Sequence, residues 1–518
     1  MWHNETNWRF QMSRFKLIFL SLALSITAIS AWAGQITLKS TTSTVELVGD
    51  LKSFDNGIYI IETELGELEV DARTVTCSGA SCPKVQSLSS KISILGEQDL
   101  LNQLLIPLLE SYSFSLDANV ETKTINKTQS TIKVINQGGQ EYASINVQSK
   151  SHKKLNDQAT NAKDTLVITS STLEMLAASA KDGGVTPLAA DALIAITSDT
   201  NSVKTISLSA LQDILSGKIS NWKDIGGPDI SINLYLPKDA SALQSIAKEM
   251  GYEASKFAKS QQFDSLKELS MAAASDPYGL GFTNYSNLHN ANALAISGGC
   301  GAYIKPSTFN ILSGSYPIAY YHYLKTSSEA TPIFAREFLT YLESSQAKDA
   351  INQLGYPSLS VFESDLDDQG NRIAYGLLAT SKTVPVTEYR AMMNVLIGAR
   401  QLSTVLRFKA GSLDLDVQSS AALEALVSEL FLGNYADQTL LILGFTDADG
   451  STGENKRNSK AAAKLISRYI KDADSGNQLM DLQINAHGFG EASPLVCEDT
   501  PLGAATNNRV EIWVKDKN

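Results

Sequence analysis

Leu443-Gly444-Phe445-Thr446-Asp447 closes an apolar run, Gly450 follows, and Asn455 and Ser459 come next. The run from Leu440 to Phe445 has the length and composition of a buried strand, and Gly450 punctuates it. The residues from Asn455 to Lys471 then predict a helix. Downstream stand Gly488-Phe489-Gly490-Glu491, Pro494 and Asn507-Asn508-Arg509-Val510-Glu511-Ile512, with a last strand expected over Arg509 to Val514. Upstream, the same unit opens with a helix from Thr387 to Gln401. A strand around Val405 to Phe408 and a helix from Val417 to Leu432 follow. This places a C-terminal α/β unit over residues 385–518.

Residues 361–384 read as a linker, because Asp365, Asp367, Asp368 and Gly370 make the stretch acidic and turn-rich. Before it, residues 88–360 alternate strand-like runs with amphipathic helices. Lys91 to Leu95, Asp164 to Ile168 and Ala192 to Ile196 are the runs, and Leu100 to Tyr112 and Ser209 to Leu215 the helices. That alternation predicts an α/β module with a mostly parallel sheet. Residues 34–84 predict a small β unit from the runs at Val45 to Val48, Gly57 to Thr63 and Glu67 to Val70. The chain is thus multidomain, α/β and α+β.

Residues 1–33 read as an export signal. Arg14 and Lys16 precede an apolar stretch from Leu17 to Ile29, and Ala31-Trp32-Ala33 offers the small residues of a cleavage site before Gly34. A membrane anchor is the other reading, for which the stretch is short. No cysteine stands at the cleavage site, which argues against a lipid anchor.

The formal net charge of −12 excludes a nucleic-acid partner, since phosphate backbones are bound by Lys and Arg. The five histidines are too few and too scattered to build a metal cluster or a catalytic triad, so neither enzyme nor metal nor cofactor is expected. Four cysteines in an oxidising compartment read as disulfides. Cys77 and Cys82 staple a tight loop, zinc being an alternative that lacks a nearby His. Cys300 and Cys497 either bridge two units or remain as buried thiols.

The motif order in the C-terminal unit resembles the OmpA-like domain family over the last 110 residues or so. The resemblance implies an α/β sandwich that binds the diaminopimelate of Gram-negative peptidoglycan. An Asp at the strand end pairs with the ligand's ammonium and an Arg on the next helix with its carboxylate. Asp447 and Asn455 match this pattern, and Arg509 matches the family's closing motif in part. The helix Arg is absent: Ala462 stands in its place, with Arg457 and Lys460 as the nearest substitutes.

Leu211-Gln212-Asp213-Ile214-Leu215-Ser216-Gly217-Lys218-Ile219-Ser220-Asn221-Trp222, with Asp276-Pro277-Tyr278-Gly279-Leu280-Gly281-Phe282 later, resembles the periplasmic phosphate-binding proteins that serve ABC transporters. The resemblance implies a type 2 periplasmic-binding-protein fold that holds an oxyanion on hydroxyls, backbone N–H groups and an Arg. Ser170, Ser171, Thr172 and Ser241 match the hydroxyl positions. The family loop ends Ser-Ser-Arg, so Thr172 stands where the Arg belongs, and Gly96-Glu97-Gln98-Asp99 puts two acids where the first loop should place a hydroxyl.

Together the modules resemble phosphate ABC transporter substrate-binding/OmpA family proteins. Two functions follow. One is capture of a small oxyanion such as phosphate, near the wall, with an ABC permease as partner. The other is a structural scaffold of the periplasm whose binding fold has lost its ligand.

Overall fold

The computed structural model describes residues 34–40, 44–55, 58–64, 66–72, 74–83, 89–151, 154–155, 165–171, 184–238, 257–298, 300, 302–326, 332–380, 383–409, 412–474, 476, 478–498 and 501–517. These fall into two compact units, 1–86 and 87–518. The expected export signal lies outside the described residues.

The first unit is a five-stranded antiparallel sheet. Its order is Gly66–Asp71, Ile58–Thr63, Glu46–Asp55, Gln35–Ser40, Val75–Ser78. Alternation places Ile36, Leu38, Tyr59 and Ile61 inside. Cys77 and Cys82 are bonded to each other, which joins the edge strand to the loop after it. The strands at Gln35–Ser40 and Val75–Ser78 were not expected. The first alternates Ile36 and Leu38 with polar residues over only six positions, and the second is four residues long.

The second unit opens with an 11-stranded sheet. In its first half, Ser90–Gly96 lies parallel to Glu141–Ser149 on one side and to Thr165–Ser171 on the other. An antiparallel meander, Ala118–Asn126, Gln129–Asn136 and Glu141–Ser149, extends it outward. The expectation of a mostly parallel sheet is corrected here: the sheet is mixed, because tight turns join this meander and only antiparallel strands can be so joined. The second half holds Gln261–Phe263, Asn233–Pro237 and Gly279–Asn284, with helices Leu208–Ser216 and Leu266–Ser275.

Two long strands, Gly184–Thr197 and Ala319–Thr326, pair antiparallel and cross between the halves. Each hands over from one hydrophobic core to the other. Ala189 and Leu324 belong to the first core, Ala190 and Tyr321 to the second. The module is therefore two lobes on a pair of crossing strands. The register shifts between Pro187 and Ala189, where proline has no N–H for the ladder.

The last sheet runs Glu363–Asp365, Ala399–Leu406, Arg509–Asp516, Gln438–Phe445, Gln483–Gly488. Helices cover both faces. Leu440 and Ile442 face Ala463, Ile466 and Ile470 of helix Thr452–Ala473. Leu441, Leu443 and Phe445 face Tyr389, Met392 and Leu396 of helix Val386–Leu396. The strand at Ala399–Leu406 begins where a helix to Gln401 was expected, because Gly398 takes a left-handed φ of 74° and ends the helical turn.

The stretch 361–384, expected as a linker, contributes an edge strand at Glu363–Asp365 and a helix at Gly370–Thr380. Arg372 on that helix donates to both oxygens of buried Glu511 at 3.1 and 3.2 Å. The acidic composition marked the surface of this stretch and hid a cation that docks it.

Candidate functional site

The strand Gln438–Phe445 delivers Thr446 and Asp447 to the mouth of the C-terminal layer. Asp447 is half-buried, and its Oδ1 accepts from the Asp449 N–H at 3.3 Å. Among the described residues no cationic side chain pairs with it. The loop behind it is pinned by Glu498, whose two oxygens accept from the Ala448 N–H at 3.2 and 3.0 Å. Asn507 holds Glu498 in turn, donating to it at 2.8 Å.

Helix Thr452–Ala473 starts beside this loop with a capping box between Ser451 and Glu454. Asn455, in the first turn, is buried, and its Nδ2 donates to Glu491 Oε2 at 2.9 Å. Thr452 donates to the other Glu491 oxygen at 2.9 Å. Ser459 accepts from the Gly490 N–H at 2.9 Å. Asn455 thus ties the helix to the loop 488–491 and leaves Asp447 as the open carboxylate. Sequence reasoning quoted Glu491 without giving it a role and did not single out Glu498, since their partners lie 36 and 50 residues away.

Arg509 is not at this mouth. It is 1% exposed, and its guanidinium donates to Glu511 at 2.7 Å, Asn507 O at 2.9 Å and Ser493 O at 2.8 Å. It also lies over the Phe445 ring, 4.5 Å from the centroid. Burial pulls it down to about 10, so it stays charged at neutral pH. Every N–H direction faces protein, so its role is to hold the strand ends together. Ala462, at the position of the absent Arg, packs against the core. Lys460 lies beside His487, and Lys456 is paired with Glu388 at 2.6 Å.

In the middle module, Ser170 sits near the end of Thr165–Ser171, where the lobes meet, and is 7% exposed. Its hydroxyl lies 2.8 Å from Nδ1 of His322 on one crossing strand, and His322 Nε2 lies 3.1 Å from Oδ2 of Asp191 on the other. Asp191 also accepts from Ala192 N–H at 2.8 Å, and from the N–H and hydroxyl of Ser286 at 3.2 and 2.7 Å. Neither Asp191 nor His322 stood out in the sequence: they are 131 residues apart and only strand pairing joins them. Ser171 ends the strand, while Thr172 and Ser241 lie outside the described residues.

The first loop places Asp99 across the junction. Its Oδ2 accepts from the Leu266 N–H at 3.4 Å, at the start of helix Leu266–Ser275 in the other lobe. Burial pushes the Asp99 carboxyl up, and neighbouring Glu97 adds to this against the pull of that N–H. The carboxylate therefore occupies a backbone N–H at the start of a helix.

The second lobe and the C-terminal layer share a seam. Cys300 and Cys497 are bonded across it, resolving the open alternative in favour of the bridge. Arg407 donates to Ser313 O at 3.1 Å, and Gln418 donates to the Tyr321 hydroxyl. Val496 packs onto the second lobe's core. A small cavity beside the disulfide is lined by Leu208, Ile296 and Pro317 on one side and by Val496 and Thr506 on the other.

A two-lobed α/β module is followed by a sheet covered by helices on both faces. Residues 126–346 match the PBP superfamily domain, and residues 407–509 match the OmpA family. The chain therefore carries these two modules in series. It is 32% identical over 173 residues to the phosphate-binding protein PstS of Bacillus subtilis, covering 33% of this chain and 56% of that one. The chain thus spans little more than half the length of that curated relative. Among solved structures, it is similar to a putative phosphate ABC transporter substrate-binding protein with bound phosphate from Clostridium perfringens. There the identity is 18% and the TM-score 0.41, over 52% of this chain and 99% of that one. It is also similar to the peptidoglycan-associated lipoprotein from Burkholderia pseudomallei, at 20% identity and a TM-score of 0.19, over 22% and 90% of the two chains.

Proposed function

We propose that this chain is a non-catalytic protein of the Gram-negative periplasm, exported by residues 1–33. Its middle module captures a small oxyanion of the phosphate class for an ABC permease. Its C-terminal module holds it on peptidoglycan by the diaminopimelate residue. The observation that carries the reading is the series of matched modules, 126–346 and 407–509. The open carboxylate of Asp447 agrees with it: an ammonium would find an acceptor there, on a loop already fixed by Glu498. With Ala462 in place of the Arg, the ligand's carboxylate falls to Arg457 or Lys460.

Two assays test the reading. Purified sacculi should retain the wild type and release Asp447→Ala; equal retention removes Asp447 from the site. In thermal shift, phosphate and diaminopimelate should each raise the melting temperature, because a ligand bound only to the native state stabilises it by mass action.

A second reading, a scaffold with no solute, is favoured by the contact from Asp99 to Leu266 N–H, which places a negative charge inside the junction. A shift with diaminopimelate but with neither phosphate nor sulfate would select it.

A further inference from the structure

We infer that the protonation state of His322 sets whether the Ser170 hydroxyl can donate a hydrogen bond to an oxyanion at the lobe junction. The inference rests on the solute-capture reading for its ligand, and on the hydrogen-bond geometry for everything else.

Asp191 fixes the ring. Its two oxygens already accept from the Ala192 N–H, the Ser286 N–H and the Ser286 hydroxyl. A carboxylate facing three donors offers only lone pairs to a fourth neighbour, so Nε2 of His322, 3.1 Å away, carries a hydrogen. In the neutral ring the other nitrogen is then bare. Nδ1 accepts, and Ser170, 2.8 Å away, is its donor. The single hydroxyl hydrogen of Ser170 points inward and is unavailable to a ligand.

Protonation reverses this bond. Both ring nitrogens of the imidazolium donate, so Ser170 Oγ becomes the acceptor and its hydrogen swings free. The same proton adds a positive charge beside the junction. Both changes favour an anion, and neither requires the backbone to move. The opposite neutral tautomer would set the Nε2 lone pair against the Asp191 carboxylate.

The ring is closely held. It is 2% exposed, and Tyr320 on its own strand and Tyr356 after helix Ser345–Gln353 meet it edge-on with centroids at 5.4 Å. Burial raises both phenols, Tyr320 well above the ordinary value, so they stay neutral beside it. Asp191 is the charged group in contact, while Glu97 and Asp99 act on the ring's tyrosine neighbours from the first loop. His322 and Asp191 are thus positioning residues: they act on a ligand through Ser170.

The test uses the full chain. Nitrogen shifts of the His322 ring, identified by their loss in His322→Gln, are followed from about pH 8 to about pH 5, the range in which imidazoles titrate. Wherever the ring is neutral, the wild type should show the Nε2–H tautomer. Ser170→Ala should change the neutral ring's Nδ1 signal. Calorimetry with sulfate, whose charge is constant over this range, should show affinity rising about tenfold on acidification, the worth of a hydrogen bond to a charged group. That rise should vanish in His322→Gln and shrink in Ser170→Ala, where only the charge of the ring remains. An Nδ1–H neutral tautomer, or a sulfate profile that rises as steeply in Ser170→Ala as in the wild type, overturns the inference. Expected ring signals with no oxyanion binding at either pH would overturn solute capture and leave the hydroxyl switch standing.

Discussion

Glu511 accepts from three side chains inside the C-terminal layer: Arg372 at 3.1 and 3.2 Å, Arg509 at 2.7 Å and the Trp513 indole at 2.9 Å. Burial alone would raise its carboxyl, but the two guanidiniums and the indole outweigh it and hold it below the ordinary range. A depressed carboxyl contributes stability above its unfolded value and loses it as pH falls through the folded one. Acid unfolding should therefore steepen below about pH 4, and Glu511→Gln should flatten that limb. Because the change leaves buried Arg509 and half-buried Arg372 facing a neutral amide, it should also cost about 3–5 kcal/mol in urea unfolding at neutral pH. The alternation of Val510, Ile512 and Val514 was legible as a strand. That its other face carries a charged cluster was not, since Arg372 comes from a stretch whose acidity suggested a linker.

At the scale of elements, helix Thr452–Ala473 lies so close to the sheet that only glycine fits at two strand positions. A Cβ on Gly444 would collide with the Ser459 carbonyl, and one on Gly488 with the Lys460 backbone. Gly444→Ala should push the helix outward and cost about 1–3 kcal/mol, read as a lowered midpoint of unfolding. Gly453 in the first turn of the same helix is the control. A Cβ there meets nothing nearer than 3.9 Å, so Gly453→Ala should be neutral or stabilising by up to about 1 kcal/mol. Both strand glycines belong to motif blocks quoted from the sequence, Leu443-Gly444-Phe445 and Gly488-Phe489-Gly490. The motif showed that they matter, and the helix backbone across from them shows why.

At the scale of the molecule, the 197-residue separation between Cys300 and Cys497 makes the seam a covalent clamp between the second lobe and the C-terminal layer. Replacing both by serine should cost about 2–5 kcal/mol, the range for a native bridge closing a long loop. A simpler assay checks the pairing: after a single protease cut between the two cysteines, the halves should stay together on a non-reducing gel and separate on reduction. The seam also bears on solute capture. The lobe that carries Cys300 is held to the C-terminal layer by the disulfide, Arg407 and Gln418, so relative motion of the lobes leaves the other lobe to swing.

The order of modules, the strand-to-helix turn at Asp447 and the missing Arg at Ala462 follow from local pattern, because each depends on residues within a few turns of one another. The sequence also carried both cysteine pairs, and left open whether the distant one was bonded. Everything that required two remote segments to meet was decided by tertiary structure. Pairing of the crossing strands brings His322 to Asp191. Docking of Arg372 makes part of the layer out of an apparent linker. The lobe junction carries Asp99 to Leu266. Burial turns Arg509 inward, away from the mouth where its motif placed it. The physical reason is common to all four: periodicity reports which face of an element is apolar, and only packing reports what that face meets.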